Sequence, residues 1–118
     1  KQQERALYRI VSILAAKKDW ADVTTRAKEY LTSEGYRRYA AEVSFLLAES
    51  YDNRKLKEDA IVAYNNTWAS YTGLIRISAP AMKRVMELRQ VLLRRLIQTL
   101  CVCGLLSARL TFLPDAAR

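Results

Sequence analysis

Apolar residues recur along most of this chain at the three-to-four-residue spacing of a helix buried on one side. Over about 4–17 they are Ala6, Leu7, Ile10, Val11, Ile13 and Leu14. Lys18-Asp19 interrupts the pattern, and Asp19 stands where an N-cap would open the next helix. That second helix is predicted over about 20–33, with Trp20, Val23, Ala27, Tyr30 and Leu31 on one face and Gly35 as its stop. A third begins at 37 or 38 and runs to about 51. Its core face holds Ala40, Val43, Leu47 and Tyr51, with Ala48 at a close crossing. Asp52-Asn53 reads as turn chemistry. A fourth covers about 56–71, with Ala60, Ile61, Tyr64 and Trp68 inward and Gly73 at its end. A short connector, 74–77, leads to Ser78 as N-cap and Pro80 in a first turn. The connector is also apolar enough to extend a neighbouring helix.

The C-terminal third behaves differently. Between Val85 and Pro114 no turn signal occurs except Gly104, so one long helix is predicted over about 79–109. It carries one stripe of Val85, Leu88, Leu92, Leu96, Leu100, Cys103 and Leu110, and a second of Met86, Leu93, Ile97, Cys101 and Leu105. So wide an apolar arc needs cover on more than one side. A membrane span does not supply it. The uncharged run 96–108 is thirteen residues long, short of the roughly twenty that a span needs.

Composition agrees with helices. Only three glycines and two prolines occur in 118 residues, and about half the residues are apolar, which implies an all-α chain with a modest core. The chain starts with Lys and has no basic-then-apolar leader, so it reads as part of a longer protein with any targeting signal outside it. Net charge is +8. The bases are spread along the chain rather than gathered, with only the short pairs Lys17-Lys18, Arg37-Arg38 and Arg94-Arg95 standing out. A solvated basic surface therefore ranks ahead of nucleic acid or an anionic membrane as its meaning, and the latter remains the alternative function, carried by Arg37, Arg38, Arg94 and Arg95.

Chemistry is sparse. The chain has no histidine, which removes the commonest acid-base group near neutral pH and the commonest metal ligand. Cys101 and Cys103 diverge by about 200° on a helix, too far to clamp one metal or to bond each other. No phosphate loop or metal helix is present. Glu49, Asp52, Glu58, Asp59 and Glu87 read as a solvated helix face rather than a catalytic pair. Asn65-Asn66-Thr67 matches a glycosylation acceptor but falls within a helix. No cofactor, metal or catalytic residue is assigned, and the chain is expected not to be an enzyme.

Leu47-Ala48-x-x-Tyr51 followed by Ala60-Ile61-x-x-Tyr64 resembles the tetratricopeptide repeat (TPR) pattern, a small residue at a helix crossing with an aromatic beside it. Asp19-Trp20 with Ile10, Val11 and Leu14 reads as an earlier copy, and Val85, Met86 and Arg89 as the first helix of a later one, at offsets of about 37 and 38 residues. Val11, Met86 and Arg89 depart from the family's residue types. The resemblance implies antiparallel hairpins stacked as a short right-handed α-solenoid over 1–90, about two and a half repeats. Residues 91–118 are expected to form an apolar helical extension for packing or oligomerisation. The resemblance further implies a protein-protein scaffold whose first helices line a concave face. In this register that face holds Arg5, Tyr8, Ser12, Glu42, Phe45, Glu49, Lys83 and Glu87. Tyr8 and Phe45 are the expected anchors for a partner segment. The set that holds a chaperone's C-terminal carboxylate is missing, Leu46 being apolar where an asparagine belongs, so such tails are not expected ligands. Too few repeats and the broad apolar helix lead to an expectation of homo-oligomers through Leu92, Leu93, Leu96, Ile97, Leu100 and Leu105. The resemblance fits the bacterial cytoplasm or cell envelope and decides neither.

Overall fold

The computed structural model describes residues 2–102. Among them the chain is all-helical, with α1 Gln2–Ala16, α2 Trp20–Thr32, α3 Ala40–Asn53, α4 Lys57–Ser70 and α5 Ile75–Val102. The chain divides between Met86 and Glu87 into two units. In the first, α1 packs on α2, α2 on α3 and α3 on α4, and α1 also touches α3. Three residues join α1 to α2 and three join α3 to α4. Links that short make each packed pair antiparallel.

Both pairs turn the same way. At the end of α1 the N–H of Lys18 bonds to the carbonyl of Ala15 and that of Asp19 to Leu14; at the end of α3 Lys55 bonds to Asp52 and Leu56 to Tyr51. This is the paired-bond stop in which one residue takes the left-handed conformation. Lys18 and Lys55 are those residues, at φ 63° and 66°. The next residues share a backbone as well, Asp19 at φ −86°, ψ 74° and Leu56 at φ −91°, ψ 71°. Every one of these positions recurs 37 residues on, so the two turns share one backbone conformation. Asp19 sits at the N-cap as expected, but its side chain makes no capping bond.

The main core joins α1, α2 and α3. Val11, Val23, Ala27, Tyr30 and Val43 are fully buried, with Leu7, Leu14, Trp20, Leu46 and Leu47 packed around them. Fully burying a residue such as Val stabilises by roughly 1.5–3 kcal/mol. Ala48 and Ala60 are fully buried where their small side chains let helices approach. The buried set also contains hydroxyls. The Thr24 hydroxyl lies 2.8 Å from the Ser50 oxygen, linking α2 to α3, and Ser44 lies 2.7 Å from Thr67, linking α3 to α4.

Four expectations are corrected. α3 starts at Ala40, later than 37 or 38, because backbone donors ahead of it are held elsewhere: Arg38 N–H bonds to the Glu4 carboxylate and Tyr39 N–H to the Tyr30 hydroxyl. Asp52 and Asn53 are helical rather than a turn, which Lys55 makes instead. α5 begins at Ile75, with the Leu74 carbonyl accepting from Ile77 and Ser78, so Pro80 lies inside the helix. Met86, placed at the third crossing, is 56% exposed, while Val85 is buried, 37 positions after Ala48.

In the second unit α5 continues to Val102. Leu93, Leu96 and Ile97 are exposed, and Leu92 and Leu100 are half-buried. Leu105, Leu110, Cys103 and the end expected near 109 lie outside the described residues. No helix among those described is long and apolar enough to cross a membrane.

Candidate functional site

Four of the eight residues expected on the concave face meet in one groove. Tyr8, Ser12 and Ala15 of α1, Glu42, Phe45 and Leu46 of α3, and Arg76 and Ile77 of α5 line a hollow of about 320 Å³. Each wall is held by neighbours. The Tyr8 ring stacks on Tyr39, centroids 4.2 Å apart and nearly parallel. The Ser12 hydroxyl donates to the Tyr8 carbonyl at 3.0 Å, so it is engaged within α1. Phe45 meets the Tyr64 ring edge-on at 5.6 Å. Phe45 is thus packed on its own hairpin partner and still half-buried at the groove.

Behind Phe45 stands a polar clamp. Arg84 donates two bonds to the Asp52 carboxylate, from Nε at 2.5 Å and from Nη2 at 2.9 Å. The Tyr64 hydroxyl points at the same carboxylate from 3.4 Å. This fork ties Arg84 of α5 to the end of α3, and together with the buried Ile77, Ala81 and Val85 it seats the stretch of α5 that brings Arg76 and Ile77 to the groove. Asp52 and Glu49 are therefore not the solvated carboxylates expected: the Asp52 side chain is only 11% exposed and Glu49 is half-buried. Burial pushes the Glu49 carboxyl above its usual range, and the Asp52 charge adds to that. Burial likewise pushes the Tyr64 hydroxyl well up, helped by Asp52 and Glu49 and opposed by Arg84.

A second network fixes the other end. Tyr30 donates to Glu4 at 2.6 Å, and the same carboxylate accepts Arg38 N–H at 2.9 Å. The Tyr30 hydroxyl accepts Tyr39 N–H at 2.8 Å. The bond from Tyr30 holds the Glu4 carboxyl below its ordinary value, against the opposing effect of burial. Burial and then Glu4 raise the Tyr30 hydroxyl. Tyr39 is thereby set under Tyr8, so this network also positions the groove.

The other expected residues lie elsewhere. Arg5 lines a separate hollow with Gln2, Glu4, Gly35, Arg38 and Tyr39. Glu49 is beside the clamp, Lys83 is exposed on α5, and Glu87 belongs to the second unit. Ala15, Leu46, Arg76 and Ile77 were missed. The helical register would have found Ala15, one turn from Ser12. Nothing local in the sequence signals that Arg76 and Ile77 come back across α1 and α3. The groove has an aromatic and aliphatic floor with one acid and one base at its rim. Chemically, the hollow offers apolar contact flanked by one negative and one positive side chain. Among the described residues no group of three or more acids or cysteines is placed to hold a metal ion. Arg37, Arg38, Arg94 and Arg95 are exposed. No family model matches the chain, and no curated protein or solved structure shows significant similarity to it.

Proposed function

We propose that residues 1–86 form a TPR-like repeat, its hairpins coiling as a right-handed solenoid, that acts as a non-enzymatic scaffold and grips a partner peptide in the groove between α1, α3 and α5. The observation that carries this reading is the convergence of Tyr8, Ser12, Glu42 and Phe45 on one hollow, with Ile77 as an apolar floor. The partner segment offers an apolar anchor to Phe45, Leu46 and Ile77, and a base and an acid to Glu42 and Arg76. The same reading has the chain self-associate through Leu92, Leu93, Leu96, Ile97 and Leu100 of α5, with Leu105 in the expected set.

Photo-crosslinking tests the groove. A photoreactive phenylalanine analogue at Phe45 of the intact protein, in its native cells, is expected to trap one recurrent peptide segment. The same group at Arg26, exposed on α2, is expected not to trap it. Equal yields of the same adducts from both positions would contradict the proposal. Light scattering tests the self-association, which a strict monomer at high concentration would refute.

A further inference from the structure

The groove makes two demands that one side chain can meet. Its floor is apolar, formed by Leu46 and the buried Ile77, with the Tyr8 and Phe45 rings on its walls. Its one carboxylate, Glu42, is half-buried. Among the described residues no side chain hydrogen-bonds to that carboxylate and no base pairs with it, Arg76 of the same hollow included, although the chain carries 20 bases against 12 acids. Ser12 gives its proton to the Tyr8 carbonyl, so its oxygen has only lone pairs to offer. The rings are fixed by their neighbours. Tyr8 stacks on Tyr39 at 4.2 Å, which leaves its other face or its rim for an occupant, and Phe45 meets Tyr64 edge-on. The chain already seats a guanidinium over a ring beside the hollow, Arg38 lying 5.5 Å from the Tyr39 centroid.

A purely apolar anchor would fill the hollow, but it would strip water from the Glu42 carboxylate and the Ser12 oxygen and give neither a donor. An arginine supplies everything at once. Its methylenes lie on Leu46 and Ile77, its planar guanidinium lies against the rings, and its N–H groups reach Glu42 and Ser12. Lysine fits less well, because its compact ammonium is strongly hydrated and has no plane to stack. We infer that the anchor of the bound segment is an arginine, its guanidinium held by the Tyr8 and Phe45 rings and the Glu42 carboxylate. The inference rests on the reading that the groove holds a peptide, and it merges the apolar anchor and the base of that reading into one residue. A carboxylate on the next residue of the segment then meets Arg76. Long-range charge works against such a ligand, since the chain carries a net +8, so a preference for arginine can arise only from local contacts.

The test uses a matched set of capped peptides, acetyl-Ala-Ala-Xaa-Glu-Ala-amide, in which Xaa is arginine, citrulline, lysine or leucine. Citrulline keeps the shape of arginine with a neutral urea in place of the guanidinium. Binding to the full chain is read from the fluorine resonance of a 4-fluorophenylalanine placed at Phe45 alone. The arginine peptide is expected to bind at least about tenfold more tightly than the citrulline and leucine peptides, with lysine between them. In Glu42→Gln the preference for arginine over citrulline is expected to shrink to within about threefold, while the affinity of the leucine peptide moves by less than about twofold. An unchanged urea midpoint establishes that this variant is folded, and the comparison of arginine with citrulline on the unaltered chain stands without it. A leucine or citrulline peptide that binds as tightly as the arginine peptide would overturn the inference and leave the peptide groove standing. A preference for arginine that survives intact in Glu42→Gln would overturn it as well, by removing the carboxylate from the site. Failure of the peptide reading itself looks different: none of the four peptides, nor any segment trapped at Phe45, shifts the resonance, and the inference then falls with that reading.

Discussion

Single residues set the hairpins of this protein through conformations that their identities do not advertise. Lys18 and Lys55 hold the left-handed backbone that glycine adopts freely. An L side chain there is disfavoured by about 1–2 kcal/mol, offset in part by glycine's greater freedom in the unfolded chain. Lys18→Gly and Lys55→Gly are each expected to stabilise by about 0.5–1 kcal/mol, additively, as read from urea midpoints. A loss of stability in either would refute the shared turn. Two carboxylates should respond to pH in opposite senses. Glu4 has a depressed value in the folded chain, so its stabilisation is complete above the unfolded value of 4.5 and fades as pH falls through the folded one. Glu49 has a raised value, so its ionisation opposes folding once pH rises through that value and is silent below 4.5. Glu4→Gln is therefore expected to destabilise at neutral pH and to flatten the acid limb of the urea midpoint. Glu49→Gln is expected to stabilise at neutral pH, with the gain vanishing on acidification. The same sign of effect for both would contradict these placements.

At the level of helices, the elements hold one another through polar contacts as well as through an apolar core. Tyr30 on α2 bonds Glu4 of α1 and accepts Tyr39 N–H just before α3, so one phenol gathers three elements. Tyr30→Phe keeps the ring and strips both bonds, leaving the Glu4 carboxylate and the part-buried Tyr39 N–H each one partner short; a lower urea midpoint is expected. Arg84→Ala removes the fork on Asp52 and should cost about 1–2 kcal/mol by chemical denaturation, whereas a surface ion pair such as Arg26–Glu29 should matter little. The four helices of the first unit were legible because their stripes follow the helical period and because Ala48 and Ala60 stand at crossings. The hydroxyls Thr24, Ser50 and Thr67 were not, since a buried Ser or Thr looks in sequence like a solvent-facing one and only its partner shows otherwise. The start of α3 was misplaced for a related reason: Glu4 captures the Arg38 N–H from 34 residues away. Pro80 misled because a proline marks a first turn more often than a second one.

For the molecule as a whole, a turn repeated at 37 residues sets α1 and α3 along one groove. The groove was half legible. The first-helix register brought Tyr8, Ser12, Glu42 and Phe45 to it, while Arg76 and Ile77 arrive through α5, which is seated by the buried Ala81 and Val85 as well as by the Arg84–Asp52 fork. Arg5 and Lys83 left the set because repeats of uneven residue types do not superpose side chain for side chain. The central claim is that the groove, and not the general basic surface, is where a partner peptide is held. Its most direct test is the affinity of the segment trapped at Phe45 for three forms of the intact protein: unaltered, Arg76→Glu, and Arg94→Glu with Arg95→Glu. We predict that Arg76→Glu weakens binding at least about tenfold, equivalent to about 1.4 kcal/mol, while the paired change, at exposed residues that do not line the groove, leaves it within about twofold. Equal losses in both variants, or a loss confined to the Arg94 and Arg95 pair, would contradict the account.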